Sequence, residues 1–229
     1  MAQQPQAILF DLDNTLTDRR ASVNAFARQF YVDFRSRHQM TRSDDMLPII
    51  QNADGGGYRP LDDRWRGLQR WIPWKDKPTT EELRDYWYEH LGGCAIGVPE
   101  LHETLTELSK RNIQLGIITN GSTELQNATI DTLDVRKYMD CVLVSEAGGI
   151  KKPDSEIYEM ALSELGVKAE NVWFVGDNPA TDILGAYQLG LTTAWVQGHH
   201  AWMDTSFHPD YIIDNISEIV SFFGEIGTS

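Results

Sequence analysis

One stretch constrains this chain more than any other. Four apolar residues, Ala7-Ile8-Leu9-Phe10, run straight into Asp11-Leu12-Asp13-Asn14-Thr15. An apolar run bounded by polar residues reads as a buried parallel strand. Side chains alternate along a strand, so Asp11 and Asp13 project to the same side at its C-terminal end. In open α/β sheets that end is where ligands bind. Taken alone, the stretch also allows one acid to cap a helix and the other to sit in a turn.

From Val98 onward the pattern alternates. Strands are expected over residues 113–118, 141–144, 171–175, 191–196 and 211–213. Helices are expected over 99–110, 123–133, 154–165, 180–189 and 216–223, with Gly166 and Gly190 as C-terminal caps. Such alternation predicts an α/β fold, a Rossmann-like parallel sheet flanked by helices. The first strand stands far ahead of the others, so the segment between them reads as an inserted, mostly helical cap domain. The expected division is a core of residues 1–16 and 98–229 and a cap of residues 17–97.

The cap segment differs in kind from the core. Val23, Phe26, Ala27, Phe30, Tyr31 and Phe34 fall on one helical face. Residues 40–63 are mixed, with a Gly55-Gly56-Gly57 break that reads as a loop, and residues 81–91 form another helix. Trp65, Trp71, Trp74, Tyr86, Trp87 and Tyr88 are expected to pack between helices. Residues 17–97 hold 13 bases and 12 acids, whereas the remainder holds 7 and 22. Most of the net charge of −14 therefore lies on the core. Such a surface repels nucleic acid and anionic lipid. Two cysteines, Cys94 and Cys141, suggest no disulfide framework. Met1 to Gln6 show no signal-peptide pattern, and no apolar run reaches membrane-spanning length. A soluble, cytoplasmic protein, monomer or homodimer, is the expectation.

The strand ends carry the chemistry. The first leads into Asp11-Leu12-Asp13, the second into Thr119-Asn120-Gly121-Ser122, and the third toward Lys151-Lys152-Pro153. The fourth leads into Gly176-Asp177-Asn178-Pro179-Ala180-Thr181-Asp182. Clustered carboxylates repel one another unless a cation sits among them. Oxygen-only ligands favour a hard ion such as Mg²⁺. Thr119 with adjacent backbone amides suits phosphoryl oxygens, and a lysine neutralises further charge. Singly, each residue has a structural reading: Thr119 or Asp177 as a cap, Lys152 as a surface lysine, Asp182 as a first-turn acid. Their joint placement after successive strands sets them apart.

The chain resembles the haloacid dehalogenase-like (HAD) superfamily of hydrolases, in the form with a helical cap after the first strand. Asp11-Leu12-Asp13-Asn14-Thr15 resembles its first motif, DxDxT. Thr119-Asn120-Gly121 resembles the second, Lys152-Pro153 the third, and Gly176-Asp177 through Asp182 the fourth. The resemblance selects Lys152 over Lys151. It implies that Asp11 attacks phosphorus and that Asp13 transfers protons while its backbone carbonyl helps hold Mg²⁺. It also implies that Thr119 and the Asn120 amide bind phosphate, that Lys152 holds Asp11 and the phosphate together, and that Asp177, supported by Asp182, binds the metal. The implied activity is a Mg²⁺-dependent phosphatase acting on a small phosphorylated metabolite through an aspartyl-phosphate, with no nucleic acid polymer and no membrane as partner. Asp13 argues against a dehalogenase, and no lysine of the cap has the context of a Schiff base. A phosphomutase, a phospho-receiver domain and a non-catalytic phosphate-ester binder are the other readings. Arg19, Arg20, Arg59, Arg64, Arg66 and Arg70 are candidates for recognising the rest of the substrate. His199 and His200 are expected to be surface loop residues.

Overall fold

The computed structural model describes residues 3–203 and 206–223; the outermost parts of the expected core, residues 1–2 and 224–229, lie outside them. The first strand, β1, is Ala7–Phe10, with all four residues buried. Four helices follow within the insert: α1 (Arg19–Asp33), α2 (Leu47–Asp54), α3 (Leu61–Trp71) and α4 (Thr80–His90). Then come α5 (Leu101–Lys110), β2 (Gln114–Thr119), α6 (Thr123–Thr132), β3 (Cys141–Val144), α7 (Ser145–Gly148) and α8 (Ser155–Leu165). The chain continues with β4 (Val172–Gly176), α9 (Leu184–Gln188), β5 (Thr192–Val196), β6 (Tyr211–Ile213) and α10 (Ile219–Phe222).

The strands form one parallel sheet in the order β3-β2-β1-β4-β5-β6. Chain order reverses beside β1, which lies between β2 and β4, with Phe10 level with Ile117 and Val175. A crevice at such a switch point is where open α/β sheets take their ligands. The pleat sorts β1 between two cores: Ile8 and Phe10 pack with Leu105 and Leu108 on one face, Ala7 and Leu9 with Ile157 and Tyr158 on the other. Both faces are covered, which is why the strands read as unbroken apolar runs.

The insert has a core of its own. Phe26, Phe30, Trp65, Leu68, Leu83 and Trp87 are buried together, and the Trp65 and Trp87 rings meet at 5.7 Å. The aromatics are packing residues, as expected. Thr79 opens α4 with a reciprocal capping box to Glu82.

Three local expectations are corrected. The mixed stretch before the glycines contains α2, which starts with proline in its first turn and ends on Gly55 at φ +56°. Helix α5 begins at Leu101 rather than Pro99, because Glu100 takes a positive φ of 58°. The helix expected over residues 180–189 is broken into a wide π turn, Pro179–Ile183, and the short α9. Strands β2 and β4 each end one residue later than expected, at Thr119 and Gly176. Among the described residues, no helix is long and apolar enough to cross a membrane, and Cys94 and Cys141 are free thiols.

Candidate active site

The Asp11 amide donates to Val175 O at 2.8 Å, extending the β1–β4 ladder by one residue. The chain then turns sharply: the amides of Leu16 and Thr17 both reach Leu12 O at 3.0 Å. Asn14 takes a left-handed φ of 60° and donates its amide to Thr17 Oγ1 at 3.1 Å. This hooked turn leaves Asp11 buried at the sheet edge and Asp13 half-buried beside it.

Lys152 lies across the crevice. Its Nζ is 2.5 Å from Asp11 Oδ1 and 2.8 Å from Asp182 Oδ1, with the lysine side chain 1% exposed. Its loop is tied to the end of β2: Asn120 Nδ2 donates to Lys152 O, and the Lys152 amide donates to Asn120 Oδ1, each at 2.9 Å. Asn120 therefore places the lysine as well as offering its backbone amide. Thr119, the last residue of β2, is buried.

The π turn brings in Asp182. Its carboxylate Oδ2 accepts from the Asn178 amide at 3.0 Å, while the amides of Asp182 and Ile183 both bond Asn178 O. A side chain on Gly176 would lie 2.5 Å from Asp182 Cβ, so only glycine lets the turn fold back over β4.

Asp177 is fully buried, and neither of its carboxylate oxygens has a hydrogen-bond partner. Oxygens of Asp11, Asp177 and Asp182 lie within 4.8 Å of one another. Burial pushes the Asp177 carboxyl up to about 9, with Asp11 and Asp182 adding to the rise. Burial likewise pushes Asp11 up to about 7 against the pull of Lys152. For Lys152, burial opposes the charge, but Asp11 and Asp182 outweigh it and hold the ammonium above its ordinary range. Three carboxylates facing one lysine leave an excess of negative charge, and two orphaned oxygens in such a place are costly unless a cation takes them. The all-oxygen donor set fits a hard divalent ion.

Asp13 stands apart from this cluster. Its Oδ1 is 2.7 Å from Arg19 Nη1, and its Oδ2 accepts from Gln126 Nε2 at 3.1 Å. Asp11, Asp13, Arg19, Tyr58, Thr119 and Lys152 border a cavity of about 90 Å³ at the sheet edge. All seven residues expected from the sequence thus gather at one edge, with the metal-type cluster formed by three of them.

Of the six candidate arginines, only Arg19 borders this cavity. Arg20 borders a neighbouring cavity with Asn14 and His199. Arg64 is buried in the insert, Arg59 pairs with Asn52, and Arg66 and Arg70 are exposed. His200 departs from its expected surface role: Nε2 stands 3.5 Å from Asp177 Oδ2, without hydrogen-bond geometry, and the ring meets Tyr58 edge-on at 4.5 Å. Tyr58 and Gln126 carried no signal in the sequence, since each matters only through what packs against it, and the paired histidines gave no reason to bring His200 to Asp177.

A parallel sheet with a lysine-bridged carboxylate cluster at its switch point and a helical insert after the first strand defines a particular class of α/β hydrolase. The family model described as haloacid dehalogenase-like hydrolase matches residues 8–196. The chain is 32% identical to the pyrimidine 5'-nucleotidase YjjG of Escherichia coli, across 93% of this chain and 95% of that one. It is 37% identical to the ribulose-1,5-bisphosphate 5-phosphatase of Halopiger xanaduensis, across 82% of each. Its fold is similar to that of the magnesium-bound HAD-hydrolase YfnB of Bacillus subtilis, with a TM-score of 0.80 at 19% identity, covering 97% of this chain and 100% of the other. The chain belongs to the haloacid dehalogenase-like hydrolase family.

Proposed function

We propose that this protein is a Mg²⁺-dependent phosphatase that hydrolyses a small phosphate monoester through an aspartyl-phosphate intermediate. The observation that carries the reading is the Lys152 bridge from Asp11 to Asp182 beside the unpaired oxygens of Asp177. A carboxylate held against a buried ammonium has a partner for the negative charge that arrives with a phosphoryl group. The names of the two relatives, a nucleotidase and a bisphosphate phosphatase, support a phosphate ester as substrate. The cavity of about 90 Å³ has room for a phosphoryl group, and its lining by Arg19, Gly57 and Tyr58 carries the rest of the substrate toward the insert. Residues 17–97 act as the specificity cap over a core of residues 1–16 and 98–229. The enzyme works in the cytoplasm, as a monomer or homodimer, on a metabolite such as a nucleotide or a sugar phosphate.

In this reading Asp11 attacks phosphorus as the ester P–O bond breaks, and Asp13 gives a proton to the leaving oxygen. Asp13 then takes a proton from the water that attacks the aspartyl-phosphate, releasing phosphate and restoring Asp11. Thr119 and the Asn120 amide hold phosphoryl oxygens, and Lys152 balances their charge. Asp11, Asp177 and Asp182, with the Asp13 carbonyl, would hold Mg²⁺, which when bound neutralises charge on the transferring group.

The test is phosphate release from a panel of phosphorylated metabolites, with and without Mg²⁺. Mg²⁺-dependent turnover that disappears in Asp11→Asn is the expected result. Turnover by Asp11→Asn at the wild-type rate would end the covalent mechanism, and binding without turnover would favour a non-catalytic role.

A further inference from the structure

We propose that Arg19 is a positioning residue for Asp13, tying the proton-transferring carboxylate to the helical insert. The inference rests on the reading of Asp13 given above. Arg19 is the first residue of α1, and its side chain is only 10% exposed. Its Nε and Nη2 form a fork to the Asp54 carboxylate, at 3.0 Å to Oδ2 and 2.8 Å to Oδ1. The remaining nitrogen, Nη1, reaches Asp13 Oδ1 at 2.7 Å.

The insert side of this clamp is rigid. Asp54, the last residue of α2, has a carboxylate 3% exposed. Arg64 braces it, donating to Ala53 O at 3.2 Å and Asp54 O at 3.3 Å, with its guanidinium 4.8 Å from the Trp87 ring centroid. The glycine loop rests on the Arg19 guanidinium: a side chain on Gly57 would come within 3.0 Å of Arg19 Nε. A two-point carboxylate–arginine fork fixes orientation as well as distance. On the other side, Gln126 Nε2 bonds both Asp13 Oδ2 and Asn120 O, at 3.1 Å each. One Asp13 oxygen is thus held from α1 of the insert and the other from α6, which follows β2.

The clamp explains a placement that Asp13 cannot achieve alone. Its side chain is 27% exposed and has no bond to Lys152 or to the carboxylate cluster, so nothing in the crevice fixes its rotamer. When the ester bond breaks, its electron pair stays on the leaving oxygen and the Asp13 proton joins it. The carboxylate that remains is received by Arg19 and Gln126, and stands oriented to take the proton of the attacking water. Arg19 is already committed to Asp54 and Asp13, so it serves the substrate through Asp13.

A positioning role predicts dependence on the leaving group. An alkyl ester needs the proton, whereas p-nitrophenolate leaves largely without it. The full-length enzyme with Mg²⁺ is assayed for kcat/KM on glycerol 3-phosphate and on p-nitrophenyl phosphate. Arg19→Met is expected to lower the first by about 10²-fold and the second by less than about tenfold. Asp13→Asn should show the same bias, and adding Arg19→Met to it should cost glycerol 3-phosphate nothing further. Arg19→Lys keeps a cation but not the fork, and should recover part of the ratio. Competitive inhibition by inorganic phosphate should be unchanged. Equal losses on both esters, additive losses in the double variant, or weakened phosphate inhibition with the ratio intact would each overturn the proposal. If Arg19→Met does not fold, Arg19→Lys and Asp54→Asn carry the same comparison. Absence of leaving-group bias in Asp13→Asn itself removes the proton-transfer role of Asp13, and the Arg19 proposal with it. No phosphate release from either ester by the wild type would instead overturn the phosphatase reading itself.

Discussion

Asp177→Asn should make the metal-free protein more stable, even though it removes a residue from the centre of the site. Asp177 is fully buried and its oxygens lack hydrogen bonds, with His200 Nε2 3.5 Å from Oδ2, and its carboxyl is raised from 3.8 to about 9. At pH 7 the folded chain therefore keeps a proton that the unfolded chain has released. Holding it costs about 1.4 kcal/mol per pH unit above 3.8, or roughly 4 kcal/mol at most. Asparagine avoids that cost but buries an amide that lacks partners, which takes back about 1–3 kcal/mol. The net expectation is about 2 kcal/mol, a rise in Tm of about 4–8 °C for a chain of this size. The sign follows from the raised pKa. The contribution of Asp177 is fully present below pH 3.8 and is lost as pH climbs toward 9. The advantage of asparagine should therefore vanish at about pH 5, reverse below it and grow through neutrality. Mg²⁺ should invert the order, because at about 100 times Kd it adds about 2.7 kcal/mol to the wild type and little to the variant. Thermal unfolding in EDTA and in Mg²⁺ at pH 4.5, 7 and 8.5 reads all of this out. A variant less stable than wild type in EDTA at pH 8.5, or equal gains from Mg²⁺ in both proteins, would refute the reasoning.

Three other perturbations probe the remaining parts of the site. Asp11→Asn should remain folded by circular dichroism yet lose about 10³-fold or more in kcat; near-wild-type turnover would rule out Asp11 as nucleophile. Lys152→Met leaves Asp11 and Asp182 without their shared cation, and should cost about 3 kcal/mol in metal-free stability at pH 8 as well as abolishing turnover; an unchanged denaturant midpoint would show that the bridge contributes nothing to the fold. Gly57→Ala puts a side chain at φ +94° and 3.0 Å from Arg19 Nε. It should cost about 1–3 kcal/mol and lower kcat on alkyl esters more than on p-nitrophenyl phosphate; equal kcat losses would separate the loop from the Arg19 clamp.

Much of the frame is written locally. The apolar run of β1, the alternation after Val98 and the glycine caps at Gly166 and Gly190 are short-range patterns, set by strand pleat, helix period and permitted φ. So is the position of Asp11, Thr119 and Asp177 at or just beyond strand ends, because a parallel sheet lines up those ends whatever lies between. Tertiary structure decided which groups meet. The Asn120–Lys152 pair, the Lys152 bridge to Asp182, the Arg19 fork to Asp54 and the approach of His200 to Asp177 join residues from separate segments. Those contacts depend on how the insert and the loops settle over the crevice. That packing is a property of volumes and charges brought together in space, and the periodicity of a single segment carries no trace of it.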